Sequence, residues 1–174
     1  MVYLHGATQS EQQGIRRLSP LADELGFLLL SPGSEGVTWD AIRGSFGPDV
    51  QMIDRALKRT FAACQIAADR IALAGFSDGA SYALGLGLSN PDLFKSVLAF
   101  SPGFIPDGSK PAGNARIFVS HGTADQILPI DSCSRRLVPE LKRQGFNVTY
   151  QEFDGPHTVP PEILREAMKW FLAG

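Results

Sequence analysis

The sequence predicts an α/β fold: a doubly wound, mostly parallel sheet of about six strands, flanked by helices and carrying no cap domain. Three observations lead there. Short apolar runs alternate with segments of helical periodicity from end to end. Those runs are nearly all apolar rather than alternating, as strands covered on both faces require. A Gly-x-Ser-x-Gly pentapeptide, Gly75 to Gly79, follows directly on one of them and opens a helical segment.

The expected strands are Met1–Leu4, Phe27–Ser31, Arg70–Gly75, Ser96–Ser101, Ala115–His121 and Asn147–Phe153. Between the first two, Ser19-Pro20 reads as an N-cap followed by proline at the first helical position. Val50, Ile53, Leu57 and Phe61 then recur at helical spacing. The helix expected over 78–89 carries Gly79, Ala80, Ala83 and Gly87 near one face, which lets it lie close against the sheet beneath the serine turn. Ile130, Cys133, Leu137 and Leu141 mark another helix, which Pro139 should kink, and Ile163, Ala167 and Phe171 mark the last. Two Gly- and Pro-rich stretches, 32–48 and 102–114, fit no element; loops of such length in a compact α/β domain are more often functional walls than idle connectors.

At 174 residues, the chain is expected to form one domain, 1–174, with a sizeable core. A net charge of −2 gives no electrostatic footprint for nucleic acid. No apolar run is long enough to span a membrane. The N-terminus lacks a basic segment and a long apolar one, so no signal peptide is visible, which points to the cytoplasm or to a sequence trimmed upstream. The two cysteines, Cys64 and Cys133, read as core thiols inside amphipathic helices, and no His/Cys cluster suggests a metal.

The pentapeptide alone is equally compatible with a glycine-rich turn and a serine cap. A nucleophilic serine needs a base, and the base needs an acid that fixes its tautomer. In an open α/β sheet all three belong in loops at the carboxyl ends of strands. Of the three histidines, His157 follows the last strand in Asp154-Gly-Pro-His-Thr, the expected place for a general base. His5 and His121 close earlier strands and read as hydrogen-bonded supports of their loops. Asp125 lies past a strand end between Gly122 and Pro129, with Asp131 and Asp154 as rivals for the acid; Asp125 is preferred.

Leu4-His5-Gly6, Gly75-Phe76-Ser77-Asp78-Gly79, His121-Gly122-Thr123-Ala124-Asp125 with Pro129 beyond, and Gly155-Pro156-His157 occur in this order across essentially the whole chain. Together they resemble the phospholipase/carboxylesterase branch of the α/β-hydrolase superfamily, which includes bacterial carboxylesterases and acyl-protein thioesterases. The resemblance implies an α/β-hydrolase fold with Ser77 as nucleophile, Asp125 as acid and His157 as base. It also implies an oxyanion hole made by the backbone N–H groups of Ala7 and Asp78, and no cofactor.

Two features depart from that family's pattern. Carboxylesterases of this branch commonly carry Gln after the nucleophile, where this chain has Asp78. Their His-Gly motif also usually follows additional strands, whereas here it begins at residue 5, as in an N-terminally shortened member. On the usual strand order, Phe27–Ser31 then becomes an unprotected edge, expected to be covered by a second copy of the chain or by another segment.

The pocket is expected to draw on Trp39, Phe46, Phe104, Ile105, Ile127, Leu128 and Val159, with ordinary packing under a long loop an equal reading for Trp39 and Phe104. The expected function is hydrolysis of short-chain or small aromatic carboxylic esters, small-molecule substrates handled through an acyl-enzyme. An acyl thioesterase or lysophospholipase with the same triad is the alternative. A non-catalytic binding protein on a hydrolase fold is the reading from another class.

Overall fold

A computed structural model describes residues 1–174. Five parallel strands form one sheet in spatial order β1-β2-β3-β4-β5: Val2–Leu4, Ala72–Phe76, Ser96–Phe100, Arg116–Gly122 and Asn147–Phe153. The helices are α1 (Glu11–Leu25), α2 (Asp40–Arg43), α3 (Pro48–Ala63), α4 (Asp78–Leu88), α5 (Ser134–Arg143) and α6 (Pro161–Leu172). None of them is long and apolar enough to cross a membrane.

Successive strand residues serve opposite faces, as the pleat demands. Leu73, Val97, Ala99, Ile117 and Val119 join a core with α3, α4 and α5, whereas Ala72, Ala74, Phe76, Leu98, Phe100 and Phe118 join a second core with α1 and α6. Both faces are thereby covered, which accounts for the unbroken apolar runs.

The sixth expected strand, Phe27–Ser31, is reduced to a single bridge between Leu30 and Val2, held by Tyr3 N–H to Leu30 O (2.8 Å) and Leu30 N–H to Met1 O (2.9 Å). A three-residue β1 offers this segment too short a template for a longer ladder, and Pro32 follows at once. Phe27 and Leu29 pack onto the α1/α6 core instead.

The bridge still reveals the winding. From β1 the chain passes through α1 outward to Leu30, then returns through α3 to β2 on the other side of β1. The direction reverses between β1 and β2, so the loops leaving these two strands flank the topological switch point where open α/β sheets form their crevice.

Two further expectations are corrected. Pro20 lies inside α1, which starts nine residues before it at Glu11: Ser10 N–H donates to Gln13 Oε1 (3.0 Å), and this N-terminal turn sets the helix start. Cys64 is exposed at the C-terminal end of α3, and only Cys133 is a buried thiol, one residue ahead of α5. Helix α4 matches its expected span and is buried along almost its whole length.

Its small residues explain how. A Cβ at Gly79 would overlap the carbonyl oxygens of Leu4 and His5, and one at Gly75 would overlap the Gly79 carbonyl. Backbone cannot yield as a flexible side chain can. Gly79→Ala should therefore lower the unfolding free energy by at least about 1–3 kcal/mol, the usual cost of overpacking, measured by urea denaturation.

Candidate active site

The turn from β2 into α4 leaves no room for ordinary backbone. Ser77 sits at φ 56° and ψ −122°, in a region that residues bearing a Cβ rarely occupy. Its amide donates to Phe100 O (2.9 Å) across the neighbouring strand, which holds the turn in that strained form. The side chain is thereby raised at the carboxyl end of the sheet, only 8% exposed.

The β5–α6 loop brings His157 to it. Gly122 ends β4 where a Cβ would overlap the carbonyls of Gly155 and Pro156, and Ala124 N–H donates to Gly155 O (3.0 Å). The acid loop and the histidine loop are thus built against each other. His157 Nε2 lies 2.8 Å from Ser77 Oγ, and its Nδ1 lies 2.5 Å from Asp125 Oδ2. Because the carboxylate can only accept, Nδ1 carries the proton and Nε2 is left to accept from the serine hydroxyl. The ring of Phe76 supports the imidazole at 4.7 Å between centroids, with the Arg17 guanidinium 5.7 Å from the Phe76 centroid.

Asp125 is the acid that faces His157, while Asp131 is drawn into a surface ion pair with Arg135 (2.8 Å). Asp125 Oδ1 accepts from the amides of Ile127 (2.9 Å) and Leu128 (2.8 Å), the turn expected between Gly122 and Pro129. Burial acts to raise its carboxyl, but the bonds from His157 and from these two amides outweigh it. The net result lies below the usual carboxylate range.

The loop after β1 completes the surroundings. A Cβ on Gly6 would lie 3.2 Å from the Phe76 ring and 3.3 Å from Ser77 Cβ, a tight contact that glycine avoids as the loop passes the serine. Thr8, at φ 60°, donates its amide to Val37 O (2.7 Å). His5 is the expected support: Ser34 N–H donates to its Nε2 (3.1 Å), and its Nδ1 therefore donates to Gly6 O (2.8 Å). The Ala7 amide has no acceptor within the protein. The Asp78 amide belongs to the first turn of α4, where no helical carbonyl can reach it.

Of the expected pocket residues, Phe104 (44% exposed) and Ile127 (70% exposed) are open to solvent, and the Leu128 side chain packs beside Gly103. Trp39 is not a pocket wall. It is fully buried, donates its indole N–H to His5 O (2.8 Å), and packs against His5 and Tyr82. Val159 is likewise core, against α1 and α6, and Phe46 and Ile105 pack on the other core. The signal for Trp39 was its neighbourhood: a large ring in a loop of small residues, with an N–H that must find an acceptor when buried.

The family model of the phospholipase/carboxylesterases matches residues 40–173. The chain belongs to this family. An acyl-protein thioesterase 1 from Eremothecium gossypii is 30% identical over 115 residues, which cover 60% of this chain and 48% of that protein. The chain thus spans about half the length of the curated relative it matches. Among solved structures, esterase PE8 superposes with a TM-score of 0.80 at 20% identity, covering 99% of this chain and 90% of that one. A Bacillus cereus carboxylesterase superposes at 0.74 with 21% identity, covering 99% and 87%. These likenesses give the family the α/β-hydrolase fold seen here; the His5-Gly6 segment lies outside the matched family region.

The depressed Asp125 carboxyl carries a stability consequence. A carboxylate held below its unfolded value stabilises the fold above about pH 4, and that contribution fades as pH falls through the folded value. Asp125→Asn removes it. The stability gap between wild type and this variant should narrow as pH is lowered from 7 to 3, read by chemical denaturation at each pH.

Proposed function

We propose that this chain is a serine carboxylesterase that hydrolyses short-chain or small aromatic carboxylic esters. The observation that carries the reading is the unbroken line of hydrogen bonds from Ser77 Oγ through His157 to Asp125, with the proton order fixed by the carboxylate. His157 Nε2 takes the serine proton as Oγ attacks the ester carbonyl, and Asp125 stabilises the imidazolium that forms. The oxyanion of the tetrahedral intermediate is held by the amides of Ala7 and Asp78, both free of acceptors in the fold. His157 then gives its proton to the departing alcohol, leaving acyl-Ser77. Water repeats the sequence, deprotonated by His157, to release the acid. No cofactor takes part in these steps.

The substrate range follows from the mouth. Phe104 and Ile127 offer exposed apolar surface without a covering domain, which suits a short or flat acyl group. The Asp78 carboxylate accepts from Thr38 Oγ1 (2.6 Å) beside the oxyanion position, and its negative charge disfavours anionic esters. The relative named for acyl-protein thioesterase activity supports a second reading, an acyl thioesterase using the same residues.

A fluorophosphonate should label the wild-type protein at Ser77, and Ser77→Ala should lose both the label and at least about 10⁴-fold in kcat. An unlabelled wild type would favour a binding protein on a hydrolase fold. Side-by-side rates on p-nitrophenyl butyrate and an acyl thioester of equal length separate the two enzymatic readings: faster thioester turnover would replace the esterase assignment.

A further inference from the structure

His121 is a buried titratable group that the steps above do not use. It is the penultimate residue of β4, with no exposed side-chain surface, and its ring is hydrogen bonded on both sides. Nε2 lies 2.8 Å from Leu128 O and 3.1 Å from Asp125 Oδ2. Both of these are acceptors, so Nε2 must carry the proton. Nδ1 lies 2.7 Å from Ser134 Oγ, a hydroxyl that is itself fully buried at the start of α5. With Nε2 protonated and the ring neutral, Nδ1 can only accept, and Ser134 donates to it. Burial is the largest influence on His121 and disfavours its charged form, in line with this neutral tautomer.

Asp125 Oδ2 thus accepts from His157 and has His121 Nε2 beside it at 3.1 Å, the His121 N–H itself being directed at Leu128 O, while Oδ1 receives two backbone amides. Three hydrogen bonds fix the carboxylate, and the Nε2–H edge of the neutral His121 ring borders it.

We propose that His121 is a positioning residue of the site, acting through Asp125. As a neutral ring held between Ser134 and Leu128 O, it sets its Nε2–H edge against the Asp125 oxygen that His157 uses and moderates how strongly that oxygen holds the His157 proton. The inference rests on the triad reading given above, but its first test does not need turnover.

The charged and titratable groups facing this cluster can be named element by element. Asp125 and His157 come from their two loops. Glu152 is the register partner of His121 on β5 and is paired with Arg135 of α5 (2.6 Å), which also holds Asp131. From β2, only the uncharged Phe76 ring meets His157. The Arg135 pairing neutralises Glu152, so Asp125 is the one carboxylate that reaches His121 directly.

Imidazole ¹⁵N–¹H NMR of the wild-type protein should show His121 as the neutral Nε2–H tautomer from pH 5 to 9. A protonated ring or an Nδ1–H tautomer within that range would overturn the proposal. Ser134→Ala keeps both acceptors at Nε2 and should retain the Nε2–H tautomer; an Nδ1–H form in that variant would overturn the assignment of the proton by those acceptors.

The variants of His121 then test the coupling. His121→Leu removes this polar edge, leaves Asp125 more basic, and should raise the midpoint of His157 protonation by about half to one pH unit, the scale of one ordinary net hydrogen bond. His121→Gln keeps an amide N–H at a similar reach and should restore the wild-type midpoint. On p-nitrophenyl butyrate, His121→Leu should lose about tenfold in kcat with KM little changed, as expected when an outer support of a reacting group is removed. A folded Leu variant with an unmoved His157 midpoint defeats the positioning role. The expected NMR shifts in a protein without esterase turnover would instead retire the esterase assignment and leave His121 as proposed. Should His121→Leu not fold, the wild-type tautomer and the Ser134→Ala spectrum decide.

Discussion

The site depends on how closely one helix can approach one strand. The N-terminus of α4 lies against the end of β1 at a separation that excludes a Cβ at residue 79, and the Ser77 turn is the backbone path that this contact leaves. From it follow the raised hydroxyl and the first-turn amide of Asp78. The nearness of the His5–Thr8 loop follows as well. The strain at Ser77 persists because its neighbours over-determine it: the amide is tied to β3, the helix behind is wholly buried, and Gly75 and Gly79 offer no slack.

The opposite side of the site is organised by acceptors rather than by sterics. Asp125 accepts from His157 and from the amides of Ile127 and Leu128, and with His121 Nε2 3.1 Å away it joins the end of β4, the turn at Ile127 and the histidine loop into one unit. This unit is joined to the serine turn through the parallel register of β2, β3 and β4, the hydrogen bond that Ser77 donates to His157, and the Phe76 ring against the same imidazole. A small shift of either half is therefore felt at the 2.8 Å contact between Ser77 and His157.

Much of this was legible in the sequence. Continuous apolar runs alternating with helical periodicity gave the layers, and motif placement at strand ends brought Ser77, Asp125 and His157 together in the expected order. The failures have local causes. Phe27–Ser31 has strand composition, but pairing needs a neighbour of adequate length, and β1 supplies three residues. Ser19-Pro20 has the look of a helix start, yet helix limits depend on which cap forms first along the chain, and Ser10 lies upstream. Trp39 and Val159 were placed at the pocket because apolar residues in loops can face either a ligand or a core, and only the tertiary packing chooses. The contacts of His121 with Asp125 and Ser134, and of Asp78 with Thr38, join residues by side-chain geometry that no periodicity encodes.

The wall formed by residues 32–48 differs in kind from the one formed by 102–114. Asp40 and Asp49 clasp each other's segment: Asp49 accepts from the amides of Glu35 and Asp40, and Asp40 accepts from those of Gly47 and Asp49 while also receiving the Tyr82 hydroxyl. Adding or deleting one residue between them breaks both clasps together and leaves a buried carboxylate without donors. The 102–114 segment is tied along α4, Gly103 to Ser81 in its first turn and Lys110 and Ala112 to Ser89 and Leu88 at its C-terminal end, while Phe104 is left exposed. Changes of length or composition are thus accommodated more readily in 102–114 than in 32–48, where the two paired carboxylates fix the spacing of the chain.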